Sequence, residues 1–464
     1  MAGDPGAQRR RPALLCLSQS FSPDTTPTAI RASKLLGELS ARWEVAVVTE
    51  AEGPERSGGV RVEVVRSRRP RRLLAAMRRL RLDKLLELVV WPDDSIFWVV
   101  PAILAGRRLI RELAPRAIVV FMMPYSAGLA GIVLSRLTGL PLVLNLDDSL
   151  TCTDMHPEFP TRVHYLLARA LEDLYARRAD AVVYVSATNL EEVSSRQSDD
   201  VRQKFHLVRY GADRAEAHPQ PAPGEGFEIA YVGAMSGWWS VIGQGAPSGG
   251  LRGLYAAWNA LGRYRRTTLD HGTSSPAIVG RAILEAIAEH PEWEGRVGLA
   301  LYGNPYPDAV VARALASAGV QSVVSVAGPV PHDQVADILA RADLLFITLP
   351  ARADGSRGGR ISAKTYEYLT TDRPILAAVP QGENWDYLAG KPGVWLVDPA
   401  DGPGMLEVIA ELAEAKFAGR ARSFDREQLR GELSYETRAR EFELVIDAAI
   451  ARRPHPDRRP RALP

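Results

Sequence analysis

Short apolar runs alternate along the chain with stretches whose apolar residues recur every three or four positions. Leu14–Ser18, Glu44–Thr49, Val62–Val65, Ala117–Met122, Leu142–Leu146 and Ala181–Val185 have strand length and near-continuous apolar character. Between them, Ala29, Ala32, Leu35, Leu36 and Leu39 lie at helical spacing, as do the apolar positions of Val163–Arg178. Apolar strands separated by amphipathic helices predict a parallel sheet covered on both faces. The stretch AHPQPAPGEG at 217–226 breaks the pattern with three prolines and two glycines and reads as a linker. The alternation then restarts with Glu228–Val232, Val297–Tyr302, Val323–Ala327, Leu344–Leu349, Ile375–Val379 and Val394–Val397 as strands. Ile278–His290, Ala309–Ala318 and His332–Ala340 read as helices between them. The expectation is an α/β chain of two domains, residues 1–218 and 226–433. A final helix over 434–451 is expected to pack back on the first domain, before a disordered tail at 452–464. Ligands of such sheets bind outside the carboxyl ends of the strands, and a cleft between two facing domains is the default site.

Composition narrows the picture. The chain has 464 residues, 46% hydrophobic and 24% charged, with a net charge of +2. A folded protein is expected, and nothing in the overall charge points to nucleic acid. Two cysteines, Cys16 and Cys152, are too few for a disulfide framework or a Cys-rich zinc site, and suit a reducing cytoplasm. Residues 1–12 are Gly/Pro/Arg-rich and are followed by a short apolar run, unlike a secretory signal. Ala117–Leu134 lacks charge over eighteen positions, but Pro124, Gly128 and Gly131 make it a strand, turn and helix rather than a membrane span.

Several chemistries lack their signatures. No Gly-x-Gly-x-x-Gly follows a strand, and there is no Walker loop, Gly-x-Ser-x-Gly elbow or Asp-x-Asp pair. The histidines show no metal-ligand spacing, so neither a protein-bound metal nor another cofactor is expected. Two segments stand apart. Arg66–Arg81 holds eight arginines and leads into Leu82–Trp91, with Leu73, Met77, Leu80 and Leu88 on one helical face. Such a basic amphipathic helix over 66–91 suits an anionic membrane surface, or equally a solvated face over a packed stripe. Gly237–Ser275 reads as an insertion rich in aromatics and arginine, either a binding surface or helices packed on their own domain.

The most informative stretch is LLFITLPARADGSRGGRISAKTYEYLTTDRPILAAVP at 344–380. A strand runs into a Gly/Arg-rich loop, Ser362 stands where it can cap a helix over Ala363–Leu369, and Arg373-Pro374 turns into the next strand. A helix start offers unpaired N–H groups to phosphate. Lys364 in the first turn makes sense beside an anion, and Glu367 one turn on can accept from vicinal hydroxyls. Lys364 and Glu367 also fit an ordinary i, i+3 pair.

These residues belong to an ordered set that resembles the family 4 glycosyltransferases of the two-Rossmann-domain (GT-B) fold. LLCLSQSFSPDTTPTAIRASKLLGELSARWEVAVVT resembles their first strand, loop and helix. SIFWVVPAILAGRRLIRELAPRAIVVFMMPYSAGLAGIVLSRLTGLPLVLNLDDSL, and LEDLYARRADAVVYVSATNLEEV followed by HLVRYGAD, resemble the rest of the first half. VSVAGPVPHDQVADILARADLLFITLP and ISAKTYEYLTTDRPILA resemble the donor half.

The resemblance implies two Rossmann-like domains facing across a central cleft. It makes Glu367 the ribose ligand, and the loop and helix start at Arg360, Ser362, Ala363 and Lys364 the diphosphate holder. It sets Pro329 and Val330 beside the base and Gly233 where the donor approaches closely. Asp147-Asp148 would lie near the reacting sugar, with Asp148 and Lys364 as the catalytic pair and Arg31 and Asp147 on the acceptor side. Asp148 is alternatively a loop-capping carboxylate. The sequence departs from the family at Gly359, where a Glu contacting the sugar is usual. It departs again after Gly233, where Ala234-Met235-Ser236 replaces a basic pair, and at Thr26-Pro27-Thr28, where the family has glycines. The implied function is transfer of a sugar from a nucleotide-diphosphate donor to a glycan, lipid-linked or small-molecule acceptor, with retention of configuration. The alternatives are a nucleotide-sugar epimerase on the same fold and a non-catalytic nucleotide-sugar-binding relative. Polysaccharide biosynthesis is the expected setting, in a cytoplasmic enzyme that the basic segment 66–91, on its membrane reading, brings to a membrane surface.

Overall fold

The computed structural model describes residues 11–80, 82–213, 226–233, 235, 238, 254, 257–258, 260–303, 306–331 and 334–453. The chain divides into two compact units. One comprises residues up to Cys152, Pro160–Gly211 and the C-terminal segment from Tyr435; the other comprises Thr153–Phe159 and Ala212–Ser434. The expected linker at 217–226 falls almost wholly outside the described residues, as do most of the expected insertion from 239 to 253 and the tail from 454.

The first unit is built on β1 (Ala13–Leu17), α1 (Pro27–Leu39), β2 (Glu44–Thr49), β3 (Arg56–Ser57), β4 (Val60–Val64), α2 (Arg71–Arg79), α3 (Asp83–Val89), α4 (Ile96–Leu113), β5 (Ala117–Phe121), α5 (Ala127–Thr138) and β6 (Leu142–Leu146). After β7 (Glu158–Phe159), which joins the other unit, come α6 (Arg162–Arg178), β8 (Ala181–Tyr184), α7 (Ala187–Ser194), α8 (Asp199–Arg202) and β9 (Phe205–Leu207). The sheet order is β3-β4-β2-β1-β5-β6-β8-β9, parallel except at the β3–β4 edge. β1, β5 and β6 are buried at every position, which is why they read as continuous apolar runs rather than alternating ones.

The second unit holds β10 (Phe227–Val232), β11 (Tyr264–Arg265), β12 (Leu269–Asp270), α9 (Pro276–Glu289), β13 (Val297–Tyr302), α10 (Asp308–Ala318), β14 (Val324–Val326), α11 (Val335–Arg341), β15 (Leu344–Thr348), β16 (Ala351–Arg352), α12 (Ala363–Leu369), β17 (Ile375–Ala378), α13 (Glu383–Leu388), β18 (Val394–Val397), α14 (Gly402–Phe417) and α15 (Glu427–Leu433). Its sheet is fully parallel in the order β14-β13-β10-β15-β17-β18. Two antiparallel ribbons, β7 with β11 and β12 with β16, tie its loops together. Residues 263–275 of the expected insertion are therefore stitched to this unit, and Met235 and Trp238 sit in its core.

The last helix, α16 (Tyr435–Arg452), completes the first unit rather than the second. Phe442, Val445 and Ile446 join the core over β1 and β5, with the Phe442 ring stacked on Phe121 at 6.2 Å. The basic segment departs from expectation. It forms two short helices, α2 and α3, instead of one. On α2 Leu74 is buried, while Leu80 of the expected apolar face, just past the helix, is 68% exposed. No helix among the described residues is long and apolar enough to cross a membrane.

Candidate functional site

In the second unit the strands deliver three backbone-only positions to one place. Gly233 ends β10 at φ +132° and donates its N–H to Tyr302 O at 2.6 Å. Gly303, after β13, lies against Gly233 and donates to Gly328 O at 3.1 Å. Pro329 and Val330 follow directly, so the chain brings Gly233 and the Pro329–Val330 turn to the same end of the sheet. A side chain at Gly233 would strike Lys364, with Cβ 2.5 Å from Cε and 2.8 Å from Nζ. The Lys364 ammonium lies over the Tyr231 ring, 5.1 Å from its centroid, a cation–π contact that leaves its three donors for other partners.

α12 is pinned to β10, since the Val232 N–H donates to the Tyr368 hydroxyl at 2.9 Å. Burial pushes the Tyr368 phenol well up, so it stays protonated. The helix ends because the hydroxyls of Thr370 and Thr371 take the carbonyls of Glu367 and Tyr368 at 2.7 and 2.8 Å just before Pro374. Ser362 occupies the N-cap position with extended backbone, but its side chain makes no capping bond; that expectation is corrected. Ala363, Lys364 and Glu367 are half-buried.

The loop before α12 is fixed by residues that sequence reasoning missed. Asp154 pairs with Arg352 at 2.7 Å and accepts from the Gly359 N–H at 2.7 Å. The position where the resemblance leads one to look for a glutamate thus carries a backbone N–H tied to an aspartate. Gly358 and Gly382 face each other without side chains; Gly358 donates to Gln381 O at 3.1 Å and accepts from Glu383 N at 2.9 Å. Thr365 Oγ1 donates to Asn384 Oδ1 at 2.8 Å. A shallow open recess results, lined by Asp154, Gly358, Arg360 and Asn384 among others. Arg360 is exposed at its mouth and has no side-chain bond among the described residues.

In the first unit, carboxylates collect at the carboxyl end of the sheet. Asp147 is buried after β6 and accepts from Thr28 Oγ1 at 2.6 Å. Burial, and then Asp147, push the Tyr210 phenol well up, so it too remains a donor. Arg31 has no accessible surface. Its Nη1 and Nη2 donate to Arg209 O and Val208 O, both at 2.8 Å, and its Nε lies 3.7 Å from Asp147. It therefore holds this loop from inside. Asp148 beside it is half-buried.

Two further carboxylates were missed. Glu50, after β2, accepts from Gln19 Nε2 at 2.5 Å and Ser67 N at 3.1 Å and pairs with Arg69 at 3.2 Å. Burial alone would raise it, but these partners bring it below its ordinary value. Asp93 accepts from Ser126 N and Oγ at 3.0 and 2.7 Å, at the start of α5. Burial outweighs those bonds and raises its carboxyl. A carboxylate just after a strand gives no periodic signal. Among the described residues no group of three His, Cys, Asp or Glu could hold a metal ion.

Comparison with known proteins follows this geometry. Residues 28–211 match the glycosyl transferase 4-like domain family. No curated protein sequence matches the chain. Among solved structures, the chain is similar to Anabaena HepE in complex with UDP, at 13% identity and a TM-score of 0.59 over 94% of this chain and 100% of that one. Sucrose-phosphate synthase from Thermosynechococcus elongatus is similar at 13% identity and a TM-score of 0.61, over 95% and 100%. The trehalose 6-phosphate synthase of Burkholderia multivorans gives 13% and 0.57, over 97% and 100%. Residues 28–211 thus resemble a glycosyl transferase 4-like domain, within a chain that has the two-Rossmann-domain GT-B fold.

Proposed function

We propose that the protein is a nucleotide-sugar-dependent glycosyltransferase. One observation carries the reading: bare backbone at Gly233 and Gly303 beside the ammonium of Lys364, which has no ion pair among the described residues, at the carboxyl end of the second sheet. A diphosphate needs close backbone approach and a cation that is not already neutralised. The glycosyl transferase 4-like domain and the UDP and UDP-glucose held by HepE, a protein of similar fold, support it.

In this reading Lys364, the N–H groups of Ser362 and Ala363, and Arg360 meet the diphosphate. Glu367 accepts from the ribose hydroxyls, and Pro329 and Val330 lie against the base. When the sugar C1–O bond to the diphosphate breaks, negative charge grows on the leaving oxygen, and Lys364 stabilises it there. The new C1–O bond forms to an acceptor hydroxyl with retention, and Asp148 is the candidate to take the released proton. Asp147, Glu50 and Asp93 supply acceptor oxygens to a polyhydroxylated acceptor, lipid-linked or free. The reading assigns no step to a protein-held metal and suits a cytoplasmic chain whose two buried thiols, Cys16 and Cys152, stay reduced.

The test is a thermal-shift panel of UDP, GDP and their sugars. One nucleoside diphosphate should raise the unfolding midpoint, and Lys364→Ala and Glu367→Ala should each abolish most of that rise without lowering the ligand-free midpoint. An unchanged shift in Glu367→Ala would misplace the site. Binding without release of nucleotide from any sugar donor would favour the non-catalytic relative.

A further inference from the structure

The two faces of the first sheet are dressed differently. Side chains of a strand alternate between faces. On the Val119, Phe121 and Val143 side lie α1 and α16, and of their large apolar residues only Leu444 is exposed. On the other side Gly131 of α5 lies against Val120 and Leu142, and Gly106 of α4 lets Leu134 of α5 approach closely. α5 packs against both α4 and α6, and His164 of α6 lies 3.3 Å from the Leu88 carbonyl of α3. This helical layer exposes Val100 and Leu104 on α4, Val133 and Leu137 on α5, and Val163, Leu166 and Leu167 on α6, at 37% to 61%. Each set lies one helical turn apart, so each helix shows an outward apolar stripe. Leu85 and Val89 extend the surface onto α3.

Charge on the same layer is mostly basic. Helices α2 to α6 contain thirteen Arg or Lys against five Asp or Glu, in a chain whose net charge is only +2. Two of the five acids, Glu172 and Asp173, are turned to Arg196. Exposed Arg162 and Arg169 flank the α6 stripe, and exposed Arg72 and Arg79 lie on α2.

We propose that this layer, centred on α4, α5 and α6, docks the protein on an anionic lipid bilayer. Apolar side chains would enter the acyl boundary while the arginines meet headgroup phosphates. A second copy of the chain is the competing occupant. An isologous contact would set this basic face against itself, whereas an anionic bilayer neutralises it. The proposal builds on the basic segment 66–91 but moves the contact to helices whose composition did not flag it. It is independent of glycosyl transfer.

The experiment is co-sedimentation of the full chain with phosphatidylcholine vesicles, with and without phosphatidylglycerol, alongside light scattering. Wild type should pellet with the anionic vesicles alone, and less as salt rises. Val163→Ser with Leu167→Ser, and separately Leu104→Ser with Leu137→Ser, should each weaken vesicle binding at least about tenfold. Arg162→Glu with Arg169→Glu should do the same. All these positions are exposed, so unfolding midpoints should match wild type, and a pair that unfolds is replaced by the other. Equal pelleting with neutral and anionic vesicles, or serine pairs that bind like wild type, overturns the proposal. So does a dimer in light scattering that the serine pairs dissolve, which assigns the face to a second copy. Failure here leaves the nucleotide thermal shifts untouched.

Discussion

The two units fix the loops at their strand ends by opposite means. In the first, the turn after β6 hangs on one buried carboxylate: Glu172 accepts from Leu150 N at 3.0 Å, Thr151 Oγ1 at 2.8 Å and Tyr184 OH at 3.2 Å, and pairs with Arg196. In the second, the loop before α12 is held by backbone stitched to backbone, Gly358 against Gly382, with Asp154 closing the end. A loop hung on one charge is vulnerable to losing a side chain. A loop held by glycine contacts is vulnerable to gaining one.

Three substitutions test that contrast. Glu172→Ala should cost most, about 3–5 kcal/mol, because it takes this acceptor from three buried donors and leaves Arg196 paired with Asp173 alone; urea unfolding measures it. Gly382→Ala should cost about 2–3 kcal/mol, since its Cβ would meet the Gly358 backbone, which cannot swing aside. If Gly382→Ala proves the more damaging, the contrast is inverted. Gly233→Ala should cost about 1 kcal/mol, because φ is +132° yet the atom in the way is the mobile end of Lys364. Its larger effect should be loss of the nucleotide-induced thermal shift.

The smallest effect concerns pH. Burial lowers the His156 pKa from its ordinary 6.5. Below that value the unfolded chain takes up a proton that the folded chain resists, so stability is full above it and falls as pH drops through it. His156→Gln should lessen the fall in unfolding midpoint between neutral and mildly acidic buffer. Part should remain, because burial lowers His206 and His271 too.

The sheets were legible because their central strands are buried on both faces, so apolar runs such as Leu142–Leu146 carry an unambiguous signal. That Lys364 and Glu367 share one helix was legible from their spacing. Glu172 left a trace that was not used: it lies among Ala168, Leu171, Tyr175 and Ala176, the buried stripe of α6, where a carboxylate needs partners. Asp154 left none, since its partner Arg352 lies 198 residues away. The burial of Arg31 was not legible, because an arginine facing a sheet's open end and one sunk beneath it look alike along the chain. The basic segment misled for another reason. Arginine stems can cover apolar surface, so its pattern did not settle which leucine is buried.

The first unit borrows its final piece from the far end of the polypeptide: Phe442, Val445 and Ile446 fill a core begun by Leu14 and Cys16. On a ribosome, that core stays unfinished until α16 has emerged, while every part of the second unit is already available. Birth order and completion order are therefore reversed, and a truncation that removes only the last eighteen-residue helix should harm the half of the protein that was made first.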